Sequence, residues 1–384
     1  MLAVPVALTC AYLLVMTLLS RRASAPPASS RLLCFDVVVP AHDEAAGIGE
    51  TLESLKVLDW PADRFRITVV ADNCSDDTAA RARATGVEVL VRSDSTRRGK
   101  GYALQTAFEH SVAFGWADAL VVVDADTAAS PALLEAFACR IERGAGVVQA
   151  HYGVRNRDAS WRTRLMSIAL GSFHRVRSRA REVLELSCGL RGNGWCVTQR
   201  VLADVPYLAF SLTEDVEYGI ELGLAGHRVA YADEAEVAGV MVSGASAAAV
   251  QRHRWEHGRL ELIRTSLPRL FSRTAGPIDR VRLDLAADLL VAPLSLVAIG
   301  VGAWLAVAAI AARVDPRFAP WLWAGALAAL SLVAYVARGW QLSGVGARGL
   351  LDLARAPWFV VWKVLSALRT RPSTHWVRTE RERQ

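Results

Sequence analysis

The six cysteines (Cys10, Cys34, Cys74, Cys139, Cys188 and Cys196) include no pair at metal-ligand spacing. That excludes a zinc ribbon or finger, and the thiols read as reduced side chains of a cytoplasmic body. No Gly-x-Gly-x-x-Gly follows the first apolar strand, which argues against a dinucleotide-dependent dehydrogenase. The long glycine spacing and trailing Ser/Thr of an ATPase phosphate loop are missing too. No internal repeat is visible. Nor does the basic surplus stand alone. The net charge of +6 comes largely from arginines beside apolar segments, which suits an anionic membrane surface and not nucleic acid.

What is present in excess is apolarity. Of 384 residues, 53% are hydrophobic, the mean hydropathy is +0.25, and the surplus collects at the two ends. Met1 to Ser20 is apolar almost throughout and is followed by Arg21 and Arg22. Its length suits a spanning helix. Charge after the run, not before it, favours an uncleaved anchor over residues 1–22 and puts the next domain in the cytoplasm. Ala23 to Ser30 reads as a linker. Near the C-terminus, Leu285 to Ala312 and Ala319 to Ala337 are each long enough to span, giving a two-helix region at 283–338. Arg280, Arg282 and Arg338 set both flanks in the cytoplasm, and Arg313 and Arg317 in the outer loop weigh against that. Residues 347–384 read as an interfacial helix, Leu350 to Leu368, and a basic cytoplasmic tail.

Between these ends, residues 32–265 alternate strand and helix. Cys34 to Pro40, Arg66 to Ala71 and Val87 to Val91 read as strands, and Gly49 to Leu58 and Thr78 to Ala84 as helices. Short connections in this order imply an α/β fold with a parallel sheet and right-handed crossovers. Acidic and amide side chains collect after the strands, in Ala41-His-Asp-Glu44 and Asp72-Asn-Cys-Ser-Asp-Asp-Thr78. In such sheets the ligand crevice lies past the carboxyl ends of the strands. A fourth buried strand from Ala119 ends in Asp124-Ala-Asp126, two carboxylates placed to hold a hard divalent cation with phosphate oxygens. Asp-x-Asp is also a common turn former, so the pair gains meaning only from its neighbours.

Further segments add to it. Glycines flank Lys100 at the start of a helix, where backbone amides and an ammonium can approach an anion. Ser160 to Glu182 sets apolar residues at helical spacing among many arginines. It reads either as a helix at a bilayer surface or as a helix packed on the domain with a solvated basic face. Leu190-Arg-Gly-Asn-Gly-Trp195 offers Asn193 and Trp195 as a sugar-contacting pair, or is a turn. Ser211 with Glu214 fits a capping box, which would leave Glu214 structural and Asp215 free for chemistry. Gln251, Arg254 and Trp255 share one side of a helix, where a guanidinium can face a diphosphate and an indole a sugar ring. A basic interfacial helix explains the same pattern.

The ordered set Val37-Val-Val-Pro-Ala-His-Asp-Glu44, Val70 to Thr78, Gly99-Lys-Gly101, Asp124-Ala-Asp126, Thr213-Glu-Asp215 and Gln251-x-x-Arg-Trp255 resembles membrane-bound family 2 glycosyltransferases. These include the cellulose, hyaluronan and poly-N-acetylglucosamine synthases. The resemblance covers about Leu32 to Arg264 and implies a GT-A fold. It also implies that Pro40, Ala41, Glu44 and Asp72 line a nucleotide pocket with Lys100 beside it. Asp124 would sit near ribose and diphosphate, Asp126 would ligate Mg2+ or Mn2+, and Asp215 would be the catalytic base. Gln251, Arg254 and Trp255 would close over diphosphate and acceptor. Asp43 stands where many members have Asn, and Cys74 where many have Gly.

The expected activity is an inverting transfer from a nucleotide sugar, a UDP-sugar first, to a polysaccharide or lipid-linked acceptor at the inner membrane face. An export partner or self-association would serve a polymer product. A glycolipid synthase and a catalytically silent scaffold are the alternatives, and the intact Asp126, Asp215 and Arg254 argue against the scaffold.

Overall fold

The computed structural model describes residues 3–241, 245–273 and 276–355, with the helical backbone alone described for 245–257. In chain order the elements begin with α1 (Ala3–Leu19), β1 (Phe35–Ala41), α2 (Ile48–Lys56), β2 (Phe65–Asp72), α3 (Thr78–Ala84), β3 (Glu88–Arg92) and α4 (Lys100–Phe114). There follow β4 (Ala119–Val122), β5 (Thr127–Ala129), α5 (Leu133–Ile141), β6 (Val147–Val154), α6 (Trp161–Leu170), a π-helical turn (Gly171–Val176) and α7 (Arg177–Val183). The remainder comprises β7 (Trp195–Thr198), α8 (Gln199–Asp204), α9 (Glu214–Leu224), β8 (Val229–Gly239), α10 (Ala245–Leu270), α11 (Arg280–Leu290), α12 (Leu294–Val314), α13 (Ala319–Ser343) and α14 (Gly346–Leu353). These elements form two compact units.

One unit comprises Arg22–Asn156 and Leu184–Leu289. Its eight strands form one sheet in the order β3-β2-β1-β4-β7-β6-β8-β5. Strands β1 to β4 pair in parallel, as do β6 and β8, whereas β7 runs antiparallel to β4 and β6, and β5 to β8. The valine run of β1 explains its central place. Val37 and Val39 face Ile48, Leu52 and Leu55 of α2 and Phe137 of α5. Val38, with Val70, Leu120 and Val122, faces Leu104 and Phe108 of α4 and Tyr218 of α9. A strand covered on both faces is apolar almost throughout, and the one exception here, buried Asp36, is paired with Arg66. Pro40 is tolerated because β4 pairs only with Phe35 to Val38, so its missing N–H falls beyond that ladder. The parallel arrangement brings the carboxyl ends of β1, β2 and β4 to one edge. Past α9, the helices α9, α10 and α11 share a core of Ile220, Leu262, Leu270, Leu285, Ala286 and Leu289.

The other unit is built from the described parts of Met1–Arg21, Arg157–Val183 and Leu290–Thr374. Helices α12 and α13 are long and apolar enough to cross a membrane, and α1, at 17 residues, is a shorter apolar helix. Cys10 of α1 packs with Val297 and Val301 of α12 and Ala328 of α13. Large apolar side chains such as Leu8, Val307, Ile310, Trp323 and Leu330 point outward, the pattern of helices apolar all round.

Three expectations about these ends change. The first C-terminal span begins at Leu294 and not Leu285, because Leu285, Ala286 and Leu289 are drawn into the α9–α11 core and Pro293 caps a new helix. The second runs on to Ser343. The segment 160–182, expected inside the 32–265 domain, instead groups with the apolar helices. Its basic residues are not all on a solvated face: Arg162 is exposed, but Arg177, Arg179 and Arg181 are buried. Of the expected 347–384 region, α14 is described and residues 356–384 lie outside the described residues.

Candidate active site

The loops at the carboxyl edge of the sheet hold one another. After β1, Asp43 takes a left-handed conformation, φ 53°, and after β2 so does Asn73, φ 50°. Asparagine and aspartate tolerate that region best among residues with a side chain, so both turns are filled by residues that suit them. Cys74 needs no such conformation, and its thiol instead donates to the Ala41 carbonyl at 3.5 Å. The Asp43 carboxylate accepts from the Ser75 N–H and hydroxyl. Burial acts to raise its pKa, but these hydrogen bonds and His42 outweigh it and hold Asp43 below the usual range. His42 Nδ1 meets the Asp72 carbonyl at 2.7 Å, and the Glu44 N–H donates to Thr78 at 2.7 Å. Asp72 is almost buried and receives Arg92 at 2.6 Å and Asn73 at 3.0 Å. Pro40, Ala41, Glu44 and Asp72 therefore line one edge, with Asp72 fixed by an arginine at the end of β3.

Between β4 and β5 the chain alternates inside and out. Ala125 is buried against the core, and Asp124 and Asp126 are half-exposed on either side of it. The Asp124 N–H donates to Asn193 Oδ1 at 3.0 Å, and Asn193 Nδ2 donates to Thr127 Oγ1 at 2.7 Å. Thr127 Oγ1 lies 3.4 Å from Asp126 Oδ1. Asn193 thus braces the acidic loop. It has no exposed surface, which corrects the expectation that it contacts a sugar. Flanking Gly192 and Gly194 have φ of 81° and 67°, a double left-handed turn that only glycine adopts freely. Trp195 is corrected likewise. It opens β7, is 1% exposed, and packs among Phe108, Tyr207 and Tyr218. Truncating an indole so buried costs roughly 3–5 kcal/mol, so its role is stability.

Lys100 Nζ, at the first turn of α4, lies 2.5 Å from Asp124 Oδ1 and 3.7 Å from Glu214 Oε1, and donates to the Gly192 carbonyl. Burial alone would lower its pKa, but Asp124, Glu214 and Asp215 outweigh that and raise it. Glu214 and Asp215 are the first two residues of α9. The expected capping box is not made. Thr213 is the N-cap without a side-chain bond, the Ser211 N–H donates to Glu217, and Glu214 turns to Lys100. With Thr213 as the N-cap, Glu214 stands at the first helical position and not the third, where a capping box needs it. Burial pushes Glu214 up to about 7 and, against Lys100 and Arg191, also raises Asp215. Gln251, Arg254 and Trp255 fall on α10, and their side chains lie outside the described residues.

Two functional supports escaped the sequence reading. Gln149, fully buried in β6, donates to the carbonyls of Asn193 and Gly194 and accepts from the Arg191 N–H. A glutamine inside an apolar strand was the available signal. Arg191 in turn approaches Asp288 of α11 at 3.7 Å.

A doubly wound mixed sheet with an acidic Asp-x-Asp loop and a helix-borne carboxylate pair defines the GT-A glycosyltransferase fold. Residues 33–258 match the family model "Glycosyltransferase like family 2". The chain belongs to that family. It is 27% identical over 232 residues to the beta-monoglucosyldiacylglycerol synthase of Synechocystis sp., covering 58% of this chain and 47% of that protein. It is 25% identical over 252 residues to the UDP-forming cellulose synthase catalytic subunit of Pseudomonas fluorescens, covering 61% of this chain and 32% of that one. The chain thus spans half or less of these relatives' lengths. Among solved structures it resembles the mannosyltransferase PcManGT from Pyrobaculum calidifontis in complex with GDP-Man and Mn2+, with TM-score 0.54, 19% identity, and coverage of 88% of this chain and 98% of that one.

Proposed function

We propose that the protein transfers a sugar, with inversion, from a nucleotide-sugar donor to a glycan or lipid-linked acceptor at the cytoplasmic face of a membrane. A UDP-sugar is the first donor to test. The observation that carries this reading is the convergence of Asp124, Lys100, Glu214 and Asp215 at the carboxyl edge of the sheet. Asp215 takes the proton of the acceptor hydroxyl, the hydroxyl oxygen bonds to the anomeric carbon, and the bond from that carbon to the diphosphate oxygen breaks. The pKa of Asp215 is raised by burial, which suits a base working near neutrality. Lys100 supplies a fixed positive charge beside the phosphates, and Pro40, Ala41, Glu44 and Asp72 enclose the nucleotide. The family resemblance assigns Arg254 to the departing diphosphate and Gln251 and Trp255 to the acceptor.

Asp126 offers the hard oxygen donor that Mg2+ or Mn2+ prefers, half-exposed and one residue beyond Asp124. When bound, that ion neutralises charge on the leaving diphosphate. Helices α12 and α13, with α1, supply the membrane attachment.

The reading is tested by giving membranes that contain the protein labelled UDP-glucose, UDP-N-acetylglucosamine, UDP-galactose or GDP-mannose with Mg2+ or Mn2+. Transfer from one of them is expected, and incorporation from none overturns the proposal. The resemblance to a glucosyldiacylglycerol synthase favours one variant of it, a lipid acceptor. Label extracted into organic solvent supports that variant, and label retained in insoluble polymer supports a glycan.

A further inference from the structure

The C-terminal half of helix α10 is anchored by its packing. Leu262 and Leu270 sit in the core shared with α9 and α11. Arg259 donates to the Leu289 carbonyl at the end of α11 at 2.7 Å, and Arg282 of α11 donates to the Arg269 carbonyl near the end of α10 at 2.9 Å. The other half of the helix bears Gln251, Arg254 and Trp255. Between the two halves stands Gly258, which is buried. A Cβ at this position would lie 2.8 Å from Thr213 Cγ2 and 3.0 Å from Thr213 Oγ1. Separations that short force movement in a packed interior.

Thr213 is the residue against which the helix rests, and it is placed for consequence. It is the N-cap of α9, immediately before Glu214 and Asp215, and its side chain makes no capping bond. Its buried Oγ1 has no hydrogen-bond partner, although a buried hydroxyl ordinarily finds one. The threonine is held against the α10 backbone instead of serving the helix it caps.

We propose that Gly258 is a positioning residue, the seat that sets α10 on the first turn of α9 so that Gln251, Arg254 and Trp255 stand in register with Asp215. This rests on the transfer reading above. Arg254 lies about 6 Å and Gln251 about 10 Å along the helix from that seat at 1.5 Å per residue. With the far end pinned, a small displacement at Gly258 grows toward both. A misplacement of about 1 Å in reacting groups costs roughly a hundredfold in rate.

The test is a double-mutant cycle of Gly258→Ala and Thr213→Ala, read as kcat/KM for the donor found active, with UDP binding by calorimetry as the check on folding. Gly258→Ala alone is expected to lower kcat/KM by about tenfold to a hundredfold. Against the Thr213→Ala background, where the two nearest atoms are gone, the same change should cost less than about threefold. Equal losses in both backgrounds overturn the proposal, as does full activity in Gly258→Ala. Should Gly258→Ala fail to accumulate, Thr213→Leu crowds the same contact from the other helix. It should show the same loss with UDP binding kept, and unchanged activity in it overturns the proposal. If the wild-type protein transfers from no donor, the transfer reading falls. Hydrogen exchange at the amides of residues 251–258 then decides the packing: exchange faster in Gly258→Ala and restored in the double variant supports the seat, and unchanged exchange overturns it.

Discussion

The two units bury positive charge differently. In the glycosyltransferase unit, Lys100 sits against Asp124 and Glu214 with Asp215 near. In the unit of apolar helices, Arg177 donates to the Tyr335 hydroxyl at 2.9 Å, Arg181 to the Tyr12 hydroxyl at 2.6 Å, and Arg175 to the Leu342 carbonyl at 3.2 Å. A lysine among buried carboxylates makes a network whose protonation can change, because burial raises Glu214 and Asp215 while Lys100 opposes it. An arginine keeps its charge throughout and offers several donors in a fixed fork, so it acts as a pin on the oxygens it reaches. On the transfer reading proposed above, the first arrangement serves chemistry and the second shape.

The sharpest way to break the comparison is in the charge network. Asp215→Asn keeps size and hydrogen bonding but cannot take a proton. Transfer should fall by roughly 10³-fold, within the range general base catalysis supplies. Calorimetry with UDP should show binding retained. Full turnover in this variant would remove Asp215 as the base.

The pinned unit breaks by crowding. Gly171 of the π-helical turn and Gly339 of α13 meet without side chains: a Cβ on Gly171 would lie 2.7 Å from the Gly339 carbonyl, and one on Gly339 would collide with Ser172 Oγ. Ser172 cannot easily give way, because its hydroxyl donates to the Ile168 carbonyl at 2.9 Å and its carbonyl accepts from Tyr335 at 2.7 Å. Close crossings of this kind depend on small residues. Gly339→Ala should destabilise by about 1–3 kcal/mol, the usual cost of overpacking. A thermal melt in detergent should show a midpoint several degrees lower, and an unshifted midpoint would mean that the crossing relaxes freely.

The same contrast explains what the sequence disclosed. The strands and the Asp124-Ala-Asp126 loop were legible because a doubly covered strand has a local signature, an unbroken β-branched run, and its carboxyl end follows from direction alone. Asp215 was legible as a helix-start carboxylate not needed for a cap. Asn193 and Trp195 were misjudged because their burial depends on β7 joining β4 and β6, a pairing between distant segments. Glu214 makes no capping box because α9 starts only after Thr213, and it faces Lys100 of a distant segment instead. The start of the first span failed differently. Hydropathy runs on from Leu285, and only the core around Ile220 and Leu262 separates α11 from α12.

The gentlest test concerns protonation in the absence of donor. Burial raises Glu214 from 4.5 to about 7. The folded protein therefore binds this proton more tightly than the unfolded chain does. Between those values the native state holds more protons, so stability falls as pH rises and levels off once the folded carboxyl has ionised. Glu214→Gln cannot ionise. Its melting midpoint should lose that part of the decline between about pH 5 and about pH 8 and lie a few degrees above wild type at the alkaline end. The arginines of the apolar unit keep their charge across this range, so the decline should follow Glu214 and not them. Parallel curves for the two proteins would show that Glu214 is ionised at both ends, and that Lys100 holds it more firmly than burial opposes it.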